Sequence, residues 1–373
     1  MGTMDELIDP AVVTRLRKAL KAVAPQLEFA ALAAAGRAVA GNRLRDRVDI
    51  VRDALLADVP DGFPVAASTV RDVLDQPGFS GWMIWPTTEF VSVRALESGS
   101  TADFDAGMEL LSQLTIALSS EFAVRDMLNA RPQRAVDIMR GWTGHPDQHV
   151  RRLASEGSRA YLPWAKRVPW LIAHPDATRG IVDSIYRDPE EYVRRSVANH
   201  LNDLSRVDPS IATEIAQAWH NEPDTSTPRL LRHGLRTLIK KADPAALALL
   251  GFTGDSLRVD RPELSHDRVP SGGAVSFSAV VTNDGDEEAA VAIDYSIGFQ
   301  RADGSVRPKT FKLASRRLAP GESVVVRKTH SFRPITTRAY YPGAHFVTVQ
   351  ANGTLSPRAD FVLAGDGRRR ENR

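Results

Sequence analysis

The chain contains no cysteine, which removes disulfide scaffolding and thiolate catalysis at once. It also lacks an uninterrupted apolar run approaching the roughly 18 residues of a membrane-spanning helix, and no basic–apolar–small leader opens it. The cytoplasm is therefore the expected compartment. Several catalytic signatures are missing too. There is no Walker-type phosphate loop, no GxSxG elbow and no H-E-x-x-H pair, and His145, His149, His174 and His200 fall outside any metal-ligand spacing. The SGG at 271–273 sits in a β-turn with no helix behind it to receive a phosphate. No metal or other cofactor is expected.

What remains is a chain of 373 residues, 43% hydrophobic and 25% charged, long enough for two or three domains. The formal net charge is only +2, but positions 131–241 carry 18 Lys and Arg against 13 Asp and Glu, and all but three of those cations are Arg. Guanidinium forks suit phosphate oxygens, so a local excess of them fits a surface facing a polyanion. Charge alone fits solvated helix faces equally well.

The periodicity changes near residue 255. Before it, helical spacing dominates: DPAVVTRLRKALKAVA (9–24) has an Asp cap, Pro at the first turn and apolar residues at Val12, Val13, Leu16, Leu20 and Val23. LEFAALAAAGRAVAG and RLRDRVDIVRDALLADV follow, and PDGFP breaks the pattern. After 255, strands are expected at 274–283, 290–299, 322–332 and 345–352, separated by NDGD, RADGS, APGE and YPGA turns. Such spacing predicts an immunoglobulin-type β-sandwich without its Cys…Trp…Cys hallmark. The basic tail 366–373 is expected to be disordered.

The helical part repeats. GHPDQHVRRLASEGSRAY (144–161) aligns with RDPEEYVRRSVANHLNDL (187–204) at an offset of 43, and NEPDTSTPRLLRHGLRTL (221–238) is a weaker third copy. A period near 40 residues with paired helices indicates units of the HEAT or armadillo kind. The expected organisation is an α-solenoid over 1–254, a β-sandwich over 255–365 and the tail.

Within the first repeat, Val150, Leu153, Ala154 and Gly157 make a packing stripe, whereas Arg152, Glu156 and Arg159 share another face. Stacking would set Arg152, Arg195 and Arg232 in a row, which suits a nucleic-acid backbone. The same spacing also fits intrahelical ion pairs with no further role. In LPWAKRVPW two Trp each follow a Pro: Trp170 continues into an apolar run and reads as core, and Trp164 precedes Ala-Lys-Arg, where it is either buried or exposed for stacking. Glu121 opens an expected helix behind Ser119 or Ser120, and Asp203 lies near Arg206.

SSEFAVR (119–125), VRRLASEGSRAYLPWA (150–165) and GFSGWMIWPTTEFV (78–91) resemble the AlkC-type DNA alkylation repair glycosylases. These are HEAT-like repeat proteins related to AlkD, and some of them add a C-terminal immunoglobulin-like domain. The resemblance runs over nearly the whole chain. It implies a monofunctional, cofactor-free glycosylase that hydrolyses the N-glycosidic bond of 3-methyladenine and 3-methylcytosine in double-stranded DNA; a monomer is expected. It also implies that the duplex is bent and the deoxyribose approached from the backbone side, without base flipping. On the matching motifs, Glu121, Asp203 and Trp164 take catalytic roles, Arg152, Glu156 and Arg159 complete the site and clamp the backbone, and Arg195 and Arg232 bind phosphates. Lys309, Lys312, Arg316, Arg317, Arg327 and Lys328, around two expected strands, would meet phosphates if the sandwich closes on DNA; the alternative is a sandwich that only caps the repeat stack. The competing reading is a non-catalytic HEAT-repeat scaffold, or a protein that binds DNA structures without cleaving them.

Overall fold

The computed structural model describes residues 4–252, 256–334 and 339–365. The expected disordered tail at 366–373 lies outside them. The chain divides into two compact units, Met1–Gly234 and Leu235–Arg373.

The first unit is helical. Its first half holds α1 (Pro10–Val23), α2 (Ala30–Ala38), α3 (Leu44–Asp58), α4 (Phe63–Leu74), α5 (Ile84–Glu97), α6 (Thr101–Leu114) and α7 (Val124–Ala130). Then come α8 (Pro132–Gly141), α9 (Gln148–Gly157), α10 (Pro169–Ala173), α11 (Arg179–Ile185), α12 (Glu191–Val207), α13 (Pro209–Asn221) and α14 (Thr227–Gly234). The entry into α1 follows from its first residues. Asp9 accepts from the Val12 amide at 2.7 Å and Pro10 fills the first turn, where an amide would be orphaned anyway. Asp208 and Pro209 repeat the device at α13.

The repeat seen in the sequence is a structural repeat. Helix α12 packs against α9 on one side and α14 on the other, so the three copies lie side by side. Val150, Leu153, Val193, Val197 and Leu201 are fully buried between them, each contributing about 2 kcal/mol of burial. The first Arg of each Arg-Arg pair is structural. Arg151 donates to the carbonyls of His145 and Pro146 at 2.9 and 2.8 Å. Arg194, one repeat later, donates likewise to those of Asp188 and Pro189. Only the second Arg of each pair is left for the other face.

The second unit begins with α15 (Arg236–Lys240) and α16 (Pro244–Leu249). Its strands are β1 (Leu257–Val259), β2 (Glu263–Leu264), β3 (Arg268–Val269), β4 (Ala274–Asn283) and β5 (Ala289–Gln300), followed by β6 (Val306–Leu318), β7 (Ser323–Ser331), β8 (Gly343–Ala351), β9 (Thr354–Leu355) and β10 (Ala359–Leu363). In one sheet β4 pairs with β7 on one edge and with β1 and β2 on the other. The second sheet runs β3-β10-β8-β5-β6, with β9 beside β8. Phe277, Tyr295, Ile297, Phe332, Val347 and Phe361 fill the space between the sheets.

Two features differ from the sequence expectation. The packing boundary falls at 234/235, ahead of the change of periodicity, because Leu247 and Phe252 bury against Ala292 of β5. β5 is thereby buried along most of its length on both faces, Asp294 and Ser296 included, rather than on alternate residues only. The longest strand, β6, is absent from the four expected ones. It pairs on only one edge in the described residues, with β5, and its charged, largely exposed sequence carries no clean alternation.

Candidate active site

Five charged side chains from four segments form one continuous chain. Glu121 lies in the turn before α7, Arg152 and Glu156 on α9, Arg159 just beyond it, and Asp203 on α12. Arg152 Nη1 donates to Glu121 Oε2 at 2.5 Å, and Arg152 Nη2 lies 3.6 Å from Glu156 Oε1. Arg159 Nη1 donates to that same Glu156 oxygen at 2.6 Å, and its Nε donates to Asp203 Oδ2 at 2.9 Å. Ser119 Oγ donates to Glu121 Oε2 and accepts from Arg152, both at 3.0 Å.

Helix α7 starts at Val124, so Glu121 does not open it. Ser119 is committed to Glu121 and Arg152, and the Ser120 hydroxyl is buried against the Leu111 carbonyl at 2.7 Å. The Ser120 carbonyl accepts the Val124 amide. Glu121 thus sits at the mouth of a turn rather than on a helix face.

Burial works against every charge in the middle of this chain, and the partners outweigh it. Desolvation opposes the Arg152 guanidinium, but Glu121 and Glu156 together raise its pKa. Desolvation likewise opposes the Glu156 carboxylate, and Arg152, Arg159 and the Ser196 hydroxyl hold its pKa below the ordinary value. Arg159 is raised against desolvation by Glu156 and Asp203. The network as a whole sets three carboxylates against two guanidiniums, an excess of one carboxylate.

The two ends of the chain differ in access. The Glu121 side chain is 17% exposed and that of Asp203 only 3%. Asp203 Oδ2 also accepts the Tyr161 amide at 3.2 Å, while Arg206 Nη1 lies 4.0 Å from Oδ1. Arg159 is buried, with Nε and Nη1 donating to the two carboxylates, so it holds the network together. Beneath the network His200 is fully buried, bridging the Ser155 carbonyl and the Thr178 hydroxyl at 2.9 Å each. Burial, opposed by Asp203, brings its pKa down to about 4, so it is neutral.

Trp164 is 80% exposed, against nearly full burial for Trp85, Trp142 and Trp219. Its φ of +62° places it in the left-handed region, a conformation that costs a bulky L-residue about 1–2 kcal/mol. Trp170, expected in the core, is only half-buried. It stacks on His174 at 4.4 Å, while Leu171 is the residue of α10 that is buried.

Aromatic neighbours that the sequence pattern did not single out surround the charges. The Arg152 guanidinium lies 5.3 Å from the ring centre of Tyr192, which sits one repeat after His149 and meets it edge-on at 5.5 Å. Tyr161 is flanked by Arg206 at 4.1 Å and Arg167 at 4.7 Å. Phe122 stacks on Trp85 at 4.5 Å. The offset of 43 was a signal for Tyr192, and Tyr161, Phe122 and Trp85 lie inside the three motifs that carry the resemblance.

The arginine row is only partly drawn into this site. Arg195 is exposed and 3.5 Å from Glu191, which also accepts from Arg229 at 2.9 Å. Arg232 is exposed on α14. Neither joins the Glu121–Asp203 chain.

Fold and site together define a helical-repeat protein with a carboxylate-rich ion-pair network, an exposed Trp in the segment that follows α9, and an immunoglobulin-like C-terminal domain. Residues 258–365 match the family model described as the C-terminal Ig-like domain of "Uncharacterised protein YhaZ". The "Uncharacterized protein YhaZ" of Bacillus subtilis (strain 168) is 33% identical over 86% of this chain and 87% of its own length. The Pseudomonas fluorescens alkylpurine DNA glycosylase AlkC, solved bound to DNA containing an abasic site analog, superposes with a TM-score of 0.85 at 29% identity, covering 98% of this chain and 100% of that one. The chain belongs to the AlkC-type family of DNA alkylation repair glycosylases, the branch that carries the C-terminal immunoglobulin-like domain.

Proposed function

We propose that this protein is a DNA glycosylase that removes cationic N3-alkylated bases, 3-methyladenine and 3-methylcytosine, from double-stranded DNA. The observation that carries the reading is the network's excess of one carboxylate, with Glu121 as its accessible end. An N3-alkylated base already bears positive charge and needs no protonation to leave. As the C1′–N bond breaks, its electron pair goes to the base and the positive charge moves to the deoxyribose. A carboxylate beside the sugar stabilises that state more than the ground state. Water then adds at C1′ and gives up its proton to a carboxylate or to solvent.

Glu121 is the group in contact with the sugar and the attacking water. Asp203 adds negative charge and holds Arg159, leaving Oδ1 toward the reacting region. At an effective dielectric near 20, a carboxylate about 5 Å from the developing cation contributes about 3 kcal/mol, a factor of about 100 in rate. Trp164 supplies an aromatic face for sugar and base. Its exposure supports excision without base flipping, since it stands on the surface rather than in the wall of a cavity. Arg152 is half committed to Glu121, and its outer edge, with Arg195 and Arg232, meets the phosphates. Exposed cations of β6 and β7, among them Arg316, Arg327 and Lys328, add DNA contacts from the sandwich.

Chromatography of bases released from dimethyl-sulfate-treated duplex, as the source of 3-methyladenine, and from a duplex annealed with a strand that carries 3-methylcytosine tests this reading. Release of 3-methyladenine and 3-methylcytosine with no strand cleavage is the expected result. A folded protein that binds the duplex and releases neither base would instead support the scaffold reading.

A further inference from the structure

Helix α7 begins three residues after Glu121 and grips the segment that displays Trp164. Arg125 is wholly buried, yet none of its hydrogen-bond partners is a carboxylate. Its Nε donates to the Lys166 carbonyl at 3.0 Å, and its Nη1 donates to the carbonyls of Gly157 and Arg159 at 2.9 and 2.6 Å. Nη2 has no partner among the described residues. From the same helix, Asn129 Nδ2 donates to the Arg167 carbonyl at 3.0 Å, and both Asp126 oxygens accept from Lys166 Nζ at 2.8 Å. Both ends of the 158–167 segment are thus tied to α7. Trp164 stands between the ties, exposed and in the left-handed region.

A guanidinium buried among carbonyls is a poor way to stabilise a fold. Desolvation, reinforced by Arg167, pulls its pKa down to about 10, and apolar side chains of similar volume commonly stabilise such positions as well or better. The packing of α7 rests on Val124, Met127 and Leu128, which are all fully buried. The fork of Arg125 is spent instead on the carbonyl of Gly157 at the end of α9 and on those of Arg159 and Lys166 in the segment that follows.

We propose that Arg125 is a positioning residue: through α7 it fixes the 158–167 segment, so that Trp164 and Glu121 are held at one set separation. Asn129 and the Asp126–Lys166 pair complete the grip. This inference rests on the reading of Trp164 as the surface that meets the lesion.

A double-mutant cycle on the full chain tests it, with single-turnover excision and DNA affinity as readouts. Arg125→Lys keeps the charge and loses the fork. It is expected to slow excision about tenfold with affinity unchanged, since small misplacements of a reacting geometry suffice for such losses. In a Trp164→Ala background the same change is expected to slow excision by less than about twofold. The pair Asn129→Ala/Lys166→Ala, both at the surface, carries the same cycle should Arg125→Lys fail to fold. It should also speed hydrogen exchange of amides 161–167 while α9 and α12 keep their protection. Losses that multiply across the cycle, or a loose loop that leaves excision untouched, overturn the inference. A Trp164→Ala protein that excises at the wild-type rate overturns the reading of Trp164 itself.

Discussion

Acid should loosen the helical unit through one residue, His200. Its imidazole is fully buried and both nitrogens are engaged, by the Ser155 carbonyl and the Thr178 hydroxyl. The charged groups facing it are Asp203, Arg159 and Glu156. Its pKa is depressed from 6.5 to about 4, so the unfolded chain takes up a proton that the folded one refuses. The contribution is fully present above pH 6.5 and is lost as the pH falls toward 4. Integrated over that difference, unfolding becomes easier by roughly 2 kcal/mol between pH 7 and pH 5. Against desolvation, Glu156 is held below its ordinary value by Arg152 and Arg159. The assay is urea denaturation followed by tryptophan emission, because all six Trp lie before residue 235 and report the helical unit alone. With an m-value of about 3 kcal/mol/M the wild-type midpoint should drop by about 0.7 M. His200→Gln, which does not titrate, starts lower at pH 7 and should lose this component of the slope. A wild-type-minus-variant difference that stays constant within about 0.5 kcal/mol across the window would refute the reasoning.

Arg159→Met should be among the most destabilising changes near the site, by about 3–5 kcal/mol in the same denaturation, because it leaves Glu156 and Asp203 as buried carboxylates without their shared partner; a loss under about 1 kcal/mol would mean that water compensates them. Trp164→Gly removes an exposed side chain from a left-handed position and should leave stability unchanged or raise it by up to about 1 kcal/mol while excision falls; a clear loss of stability would show that Trp164 packs. In the sandwich unit, burial pushes Asp294 up to about 6 against the pull of Lys240 and Lys312. The folded state therefore binds that proton more tightly, and stability contributed there is present below pH 4 and declines as the pH rises through 6. Asp294→Asn should flatten that decline in the calorimetric transition that leaves tryptophan emission unchanged; an unaltered slope would rule Asp294 out.

Local periodicity made much of this molecule legible. β4 occupies the expected 274–283, and α1 fills the expected 9–24 apart from its caps. Regular elements with one buried face leave their period in the chain. What a period does not carry is which core an element joins, so α15 and α16 went with the helices in the sequence and pack on β5 in the structure. The site divides the same way. The i, i+4 and i+7 spacing put Arg152, Glu156 and Arg159 on one face. It said nothing of Glu121 and Asp203, which lie 31 residues before Arg152 and 44 after Arg159 and meet the two ends of the chain only through packing. The exposure of Trp164 was equally open until the loop was seen to hang from α7, because Pro-Trp specifies a turn and not which side of it faces solvent.

The most direct measurement is the single-turnover rate of 3-methyladenine release from duplex DNA by the wild type, Glu121→Gln and Asp203→Asn, with binding to an undamaged duplex measured alongside. The expected result is a loss of about 100-fold in Glu121→Gln and a substantial loss in Asp203→Asn, with duplex binding retained in both. Wild-type rates in both variants would contradict the assignment of the chemistry to this network.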